Sequence, residues 1–121
     1  MEIAETFAQY LEHLFVGKRC EARELIAGTL DRGVSARKLL AGVIWPAMEQ
    51  VQQLHRRRKI GRLAEHMATR INRMVADQLQ AHLARSPKLG LRLLVACGDG
   101  EAEELGAQMI ADLFEAEGWS V

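Results

Sequence analysis

Apolar residues return at helical spacing in four successive stretches of the first 84 residues, and each stretch is closed by a turn signal. Such a pattern commits this part of the chain to amphipathic helices that must bury their apolar faces against one another. The first stretch starts at Ile3 and carries Phe7, Tyr10, Leu11, Leu14 and Phe15 before Gly17. The second runs from about Lys18 to Asp31 with Ala22, Leu25, Ile26 and Leu30, and stops at Gly33. Ser35 is a suitable N-cap for the third, which carries Leu39, Leu40, Val43, Ile44, Val51 and Leu54. Trp45-Pro46 interrupts it, because proline removes a backbone donor and bends a helix. The fourth runs from about Arg62 to Ala84, with Leu63, Met67, Ile71, Met74, Val75 and Leu79 expected to point inward. The short connections predict an antiparallel four-helix bundle over residues 1–85.

Beyond this the pattern changes. Ser86-Pro87-Lys88-Leu89-Gly90 reads as a linker over residues 86–90, and Leu91 to Cys97 is a short, nearly continuous apolar run of the kind buried in parallel sheets. Gly98-Asp99-Gly100 turns the chain into a helix from about Glu101 to Glu117, with Leu105, Met109, Ile110, Leu113 and Phe114 on one side. Gly118 to Val121 reads as a turn and the first residue of a second strand. Residues 91–121 are therefore expected to form a strand and a helix of an incomplete β-α unit. A lone unit of this kind leaves a strand edge unpaired, so pairing with a second copy, docking on the bundle or further sequence is expected to cover it.

Sixteen basic residues balance sixteen acidic ones, so no net field draws the chain to nucleic acid or anionic lipid. The basic run His55-Arg56-Arg57-Arg58-Lys59 has no interleaved aromatics and reads as a solvated turn, which leaves nucleic acid out as a partner for this chain alone. Cys20 and Cys97 match no metal or redox spacing, consistent with a reducing cytoplasm. Met1 to Val16 carries Glu2, Glu5, Glu12 and His13 among its apolar residues, which excludes a signal-peptide core and a membrane span there.

The residues with metal-binding chemistry gather at the hairpin between the third and fourth helices. His55 and His66 flank the turn near Ile60-Gly61, and Glu65 adds a carboxylate beside them. Two imidazoles and a carboxylate at one end of a bundle form a candidate ligand set for a metal or for tetrapyrrole iron or cobalt. The alternative reading of each histidine is a surface residue or helix cap. At Gly98-Asp99-Gly100 a helix N-terminus offers backbone donors, but Glu101, Glu103 and Glu104 disfavour an anion there and suit helix capping. Ser35, Ser86 and Ser120 lie in cap, linker and end positions with no paired base, so no catalytic role is expected.

Taken together, Tyr10–Gly17, Ala22–Leu25, Trp45–Val51, Ala64–Thr69 and Gly100–Gly106 with Gly118–Val121 resemble the cobalamin-binding cap module and the start of the Rossmann-like domain that follows it. That family includes methionine synthase, corrinoid methyltransfer proteins and light-sensing transcription regulators. The resemblance spans nearly the whole chain and implies a mainly α fold, a four-helix bundle followed by an incomplete Rossmann-like β-α unit. In the regulator branch a tryptophan followed after nine residues by Glu-His caps the upper face of the corrin. Glu65 and His66 match that pair, and His55 stands at the tryptophan position. The family's Glu-x-His-x-x-Gly segment, whose histidine replaces the cofactor's own base beneath cobalt, falls on Glu101 to Gly106, with Glu103 in place of the histidine.

The resemblance thus implies cofactor contacts from His55, Glu65, His66, Glu101, Glu103 and Gly106, with His55 and His66 the metal ligands. The function expected is a non-catalytic sensory or regulatory module that holds cobalamin, or haem or a bilin, against the bundle. Two alternatives stand beside it: a corrinoid carrier for methyl transfer, and a ligand-free module for oligomerisation or protein interaction. The expected partners are the tetrapyrrole, a regulatory protein, and a second copy joined through the Leu91–Cys97 strand.

Overall fold

The computed structural model describes residues 2–121. Helix α1 spans Ile3–Phe15 and α2 Arg19–Asp31, and they stop at Gly17 and Gly33, where the spacing placed their ends. The third stretch is helical throughout, as α3 (Ala36–Leu39), a π-helical turn (Leu40–Ile44) and α4 (Trp45–Arg56). Ser35 caps its start, its hydroxyl accepting from the Lys38 amide at 3.1 Å. Proline at position 46 does not break the helix. A proline ring crowds the carbonyl four residues back, here that of Gly42, and the wider π turn before Pro46 makes room for it. Helix α5 spans Arg62–Gln80 and α6 spans Glu101–Ala116.

The first five helices and the π turn pack around one core whose fully buried side chains include Tyr10, Leu14, Ile26, Leu39, Leu40, Ile44, Val51, Val75 and Leu79. Helix α6 docks on α4 and α5 by burying Leu105 and Met109, with Arg73–Glu104 (3.4 Å) and Arg85–Glu115 (3.2 Å) ion pairs at the rim.

Two expectations need correction. On α5, Leu63 is 74% exposed and Met67 44% exposed, while Glu65, Thr69 and Asn72 are buried. The four-residue spacing from Leu63 to Leu79 does not follow a helix of 3.6 residues per turn, so the first two of these side chains rotate out of the core. The run Leu91 to Cys97 forms no strand among the described residues. It makes one parallel bridge, Arg92 with Ser120, flanked by backbone hydrogen bonds from Leu89 to Gly118, Ser120 to Leu91 and Leu93 to Ser120. A ladder needs successive bridges, and the facing segment offers only Gly118 to Val121; Leu94 remains 91% exposed.

The linker is held in place. Ser86 donates its amide to the Ala116 carbonyl at 2.7 Å, and the Pro87 carbonyl lies against Gly118. Gly118 has a φ of 101°, and a Cβ there would strike that carbonyl, so no other residue fits this turn without moving the linker. Phe114 and Trp119 stack edge to face at 5.4 Å beside it. No helix among the described residues is long and apolar enough to cross a membrane.

Candidate functional site

One face of α4 is left open where α6 and the segment before it lean against the bundle. Trp45, Met48, Glu49, Gln52, Gln53 and Arg56 recur on that face every three to four residues, as one side of a helix requires. Opposite them stand Val95 to Gly98 and, from α6, Ala102, Glu103, Gly106, Ala107 and Ile110. Between the two walls lies a cleft of about 630 Å³, within the roughly 300–1,000 Å³ common for small-molecule and cofactor sites. Gly106 forms its floor where α6 approaches the bundle; a Cβ there would lie 3.6 Å from the Met48 methyl and 3.8 Å from the Trp45 ring, in ordinary contact.

The residues singled out from the sequence fall into two groups. Glu103 and Gly106 line the cleft. His55, Glu65, His66 and Glu101 do not. Glu65 is buried on α5, where Oε2 accepts from the Gln52 amide at 3.2 Å and from the Thr69 hydroxyl at 2.9 Å. Because Gln52 also lines the cleft, Glu65 supports the α4 wall from behind. His66 is exposed, with Nε2 3.7 Å from Glu65 Oε1. His55 is half-buried in the last turn of α4, where a basic side chain complements the helix dipole. Glu101 Oε2 is buried and accepts no hydrogen bond.

Among the described residues no group of three or more His, Cys, Asp or Glu side chains converges as metal ligands would. The expected cluster of His55, Glu65 and His66 is therefore not formed. The three share one end of the bundle, but the helical step between adjacent residues sends Glu65 inward and His66 outward. Sequence reasoning also passed over Trp45, Met48, Gln52 and Cys97. The signal was present in the α4 stripe Trp45-x-x-Met48-x-x-x-Gln52-x-x-x-Arg56, which runs along one side of the helix while Ala47, Val51 and Leu54 lie on the other.

The profile of the B12 binding domain matches residues 6–80, more than half of the 121-residue chain. The chain belongs to the B12 binding domain family. In this B12 binding domain the matched residues are the helical bundle itself, α1 to α5, including the whole α4 wall of the cleft. No curated protein matches the chain.

One wall of the cleft, from Trp45 to Arg56, belongs to this B12 binding domain, and the other, from Val95 to Ile110, lies beyond the matched residues. A corrin is a broad ring fringed with amides; Trp45, Met48 and Ile110 offer it apolar surface, and Glu49, Gln52, Gln53 and Arg56 offer hydrogen-bonding groups for the fringe. A corrinoid bound there would be held by these side chains and would supply a cobalt centre.

Proposed function

We propose that the chain is a non-catalytic regulatory module that holds a corrinoid in the cleft between α4 and residues 95–110. The observation that carries this reading is the cleft, which sets the exposed face of α4 from the B12 binding domain against the turn and first helical residues of α6. Residues 91–121 are read as the opening β-α piece of a Rossmann-like unit, supported by the parallel sense of the Arg92–Ser120 bridge with α6 between the bridged segments. Trp45 and Met48 hold the ring face, Gln52 and Arg56 engage its amides, and Glu65 keeps Gln52 in position. The ligand joins the bundle to α6, so its arrival or loss alters how firmly the two parts dock, and a protein partner reads that difference.

Absorbance titration of the purified protein with aquocobalamin, haem and biliverdin tests the ligand. Saturable binding of aquocobalamin is expected, with quenching of tryptophan fluorescence that Trp45→Phe largely removes and Trp119→Phe does not. Absence of a cobalamin response sinks the reading. A haem response abolished by His55→Ala and His66→Ala moves the site to the hairpin, and methyl transfer from bound methylcobalamin to a partner makes the module a carrier.

A further inference from the structure

We infer that the outward face of α5 is a self-association surface, on which two copies of the chain pack their α5 helices antiparallel about Met74. Leu63, Met67, Arg70, Met74 and Asp77 follow one another at steps of four and three residues in turn. That spacing keeps side chains on one seam where two helices lie side by side. The stripe is opposite the buried one, which carries Ala68, Ile71, Asn72, Val75 and Leu79. Leu63, Met67, Arg70 and Asp77 are exposed, and Met74 is half-buried. A Cβ on Gly17 would lie 2.8 Å from the Met67 methyl, and Val16 next to it is 64% exposed. The apolar surface therefore continues from the start of α5 onto the end of α1.

Charge decides the occupant. In the first half of α5 and the turn before it, Lys59, Arg62 and Arg70 make no ion pair among the described residues, and the one acid there, Glu65, is buried. Toward the other end of the helix the sign reverses, where Asp77 stands with Asp112 and Glu115 of α6. Burial, and then the charges of Glu115 and Asp77, push the Asp112 carboxyl above its ordinary range, and Gln108 and Arg85 offset only part of this. These crowded carboxylates favour a cation from outside the chain.

Arg70 comes four residues before Met74 and Asp77 three after it. Turned about a two-fold axis at Met74, each Arg70 meets Asp77 of the second copy, and each Met67 lies over the small, exposed Ala81 of the other chain. Every contact is made twice and the pair closes on itself. An anionic membrane or a nucleic acid would meet Arg70 but be repelled by Asp77 and Glu115, whereas a surface with opposite charges on either side of its centre complements its own copy. The contact is separate from pairing through Leu91–Cys97 and needs no corrinoid. Being one face of one helix, it belongs with the small, transient interfaces, so the monomer prevails in dilute solution.

Sedimentation velocity of the full chain without cofactor, at concentrations up to about 1 mM, tests this. The sedimentation coefficient is expected to rise from that of a monomer toward that of a dimer. Arg70→Asp and Asp77→Arg each set like charges against one another and are expected to weaken association about tenfold or more. The double variant keeps the native net charge and is expected to restore it. Within one helix the two positions lie about 10 Å apart, so restoration reads a contact between copies. Met67→Glu is expected to weaken association as well, and Leu94→Glu to leave it unchanged. A monomer at every concentration overturns the inference, as does a double variant that associates no better than the single ones. A dimer lost with Leu94→Glu and kept with Arg70→Asp also overturns it, by moving the contact to the Leu91–Cys97 segment. Should Asp77→Arg lose its helical signal in circular dichroism, Arg70→Asp and Met67→Glu decide the matter: association undiminished in both overturns the inference.

Discussion

The Tyr10 hydroxyl donates to Asn72 Oδ1 at 2.8 Å, inside the core, and ties α1 to α5 across 62 residues of sequence. Burial pushes the phenol above its ordinary range, so it stays a donor wherever the protein is folded near neutral pH. Stability from this tyrosine is therefore fully present below the usual phenol range. It declines as pH rises past that range, because the unfolded chain ionises first. Asn72 Nδ2 is buried with no partner, so this asparagine already carries one unmet group. Tyr10→Phe leaves Oδ1 unmet as well and is expected to cost about 1–3 kcal/mol in urea denaturation. The double change Tyr10→Phe with Asn72→Leu is expected to recover most of that loss, and a double variant no better than the single one would show that packing, not the hydrogen bond, sets the cost. Residue by residue, the sequence made the adjacent Glu65 and His66 visible as a pair. It hid their opposite fates, because which side of α5 faces the core depends on neighbours distant in the chain.

Two helices share a spacing of four between apolar residues and resolve it differently. At about 100° per residue, a step of four drifts by roughly 40° each time, so Leu63 ends about 160° around α5 from Leu79. Helix α5 stays regular through Arg62–Gln80 and lets Leu63 and Met67 turn outward. In the third stretch Leu39, Val43, Ala47 and Val51 are all buried, as are Leu40, Ile44 and Met48. There the π turn at Leu40–Ile44 widens the helix and absorbs the drift, at the position where Pro46 already disfavours a regular turn. Four helical stretches, most of their ends and the Ser35 cap were legible because periodicity and capping are local, although α5 stops at Gln80, short of the expected Ala84. The face of α5 and the π turn were not, since each reflects how drift is shared with packing partners. On this account Leu63→Ser is expected to change stability by no more than about 0.5 kcal/mol. Ile71→Ala, on the true inner face and 6% exposed, is expected to cost about 2–5 kcal/mol. Equal costs in chemical denaturation would place both on the core.

At the scale of the molecule, the cleft belongs to neither part alone. One wall is α4 of the bundle, and the other is carried by α6 and residues 95–98, which are held by Leu105 and Met109 in the core and by exposed ion pairs at the rim. Exposed pairs contribute about 0–1 kcal/mol each, so the apolar contacts carry most of the docking. The sequence marked where the character of the chain changes, near residue 86. The cleft itself was not legible there, because it exists only once α6 lies across α4 and α5. A ligand that spans both walls binds only the docked, folded chain and must stabilise it by mass action. At a free cobalamin concentration about one hundred times Kd, the gain in unfolding free energy is expected to be about 2.7 kcal/mol. Met109→Ala, which loosens α6 without touching the cleft lining, is expected to weaken cobalamin binding while leaving the α1–α5 helical signal in circular dichroism intact. Urea denaturation with and without cobalamin, followed by both tryptophan fluorescence and circular dichroism, measures the gain and its dependence on docking. Full stabilisation in a chain shortened to residues 1–85 would place the whole binding site on the bundle and remove α6 from it.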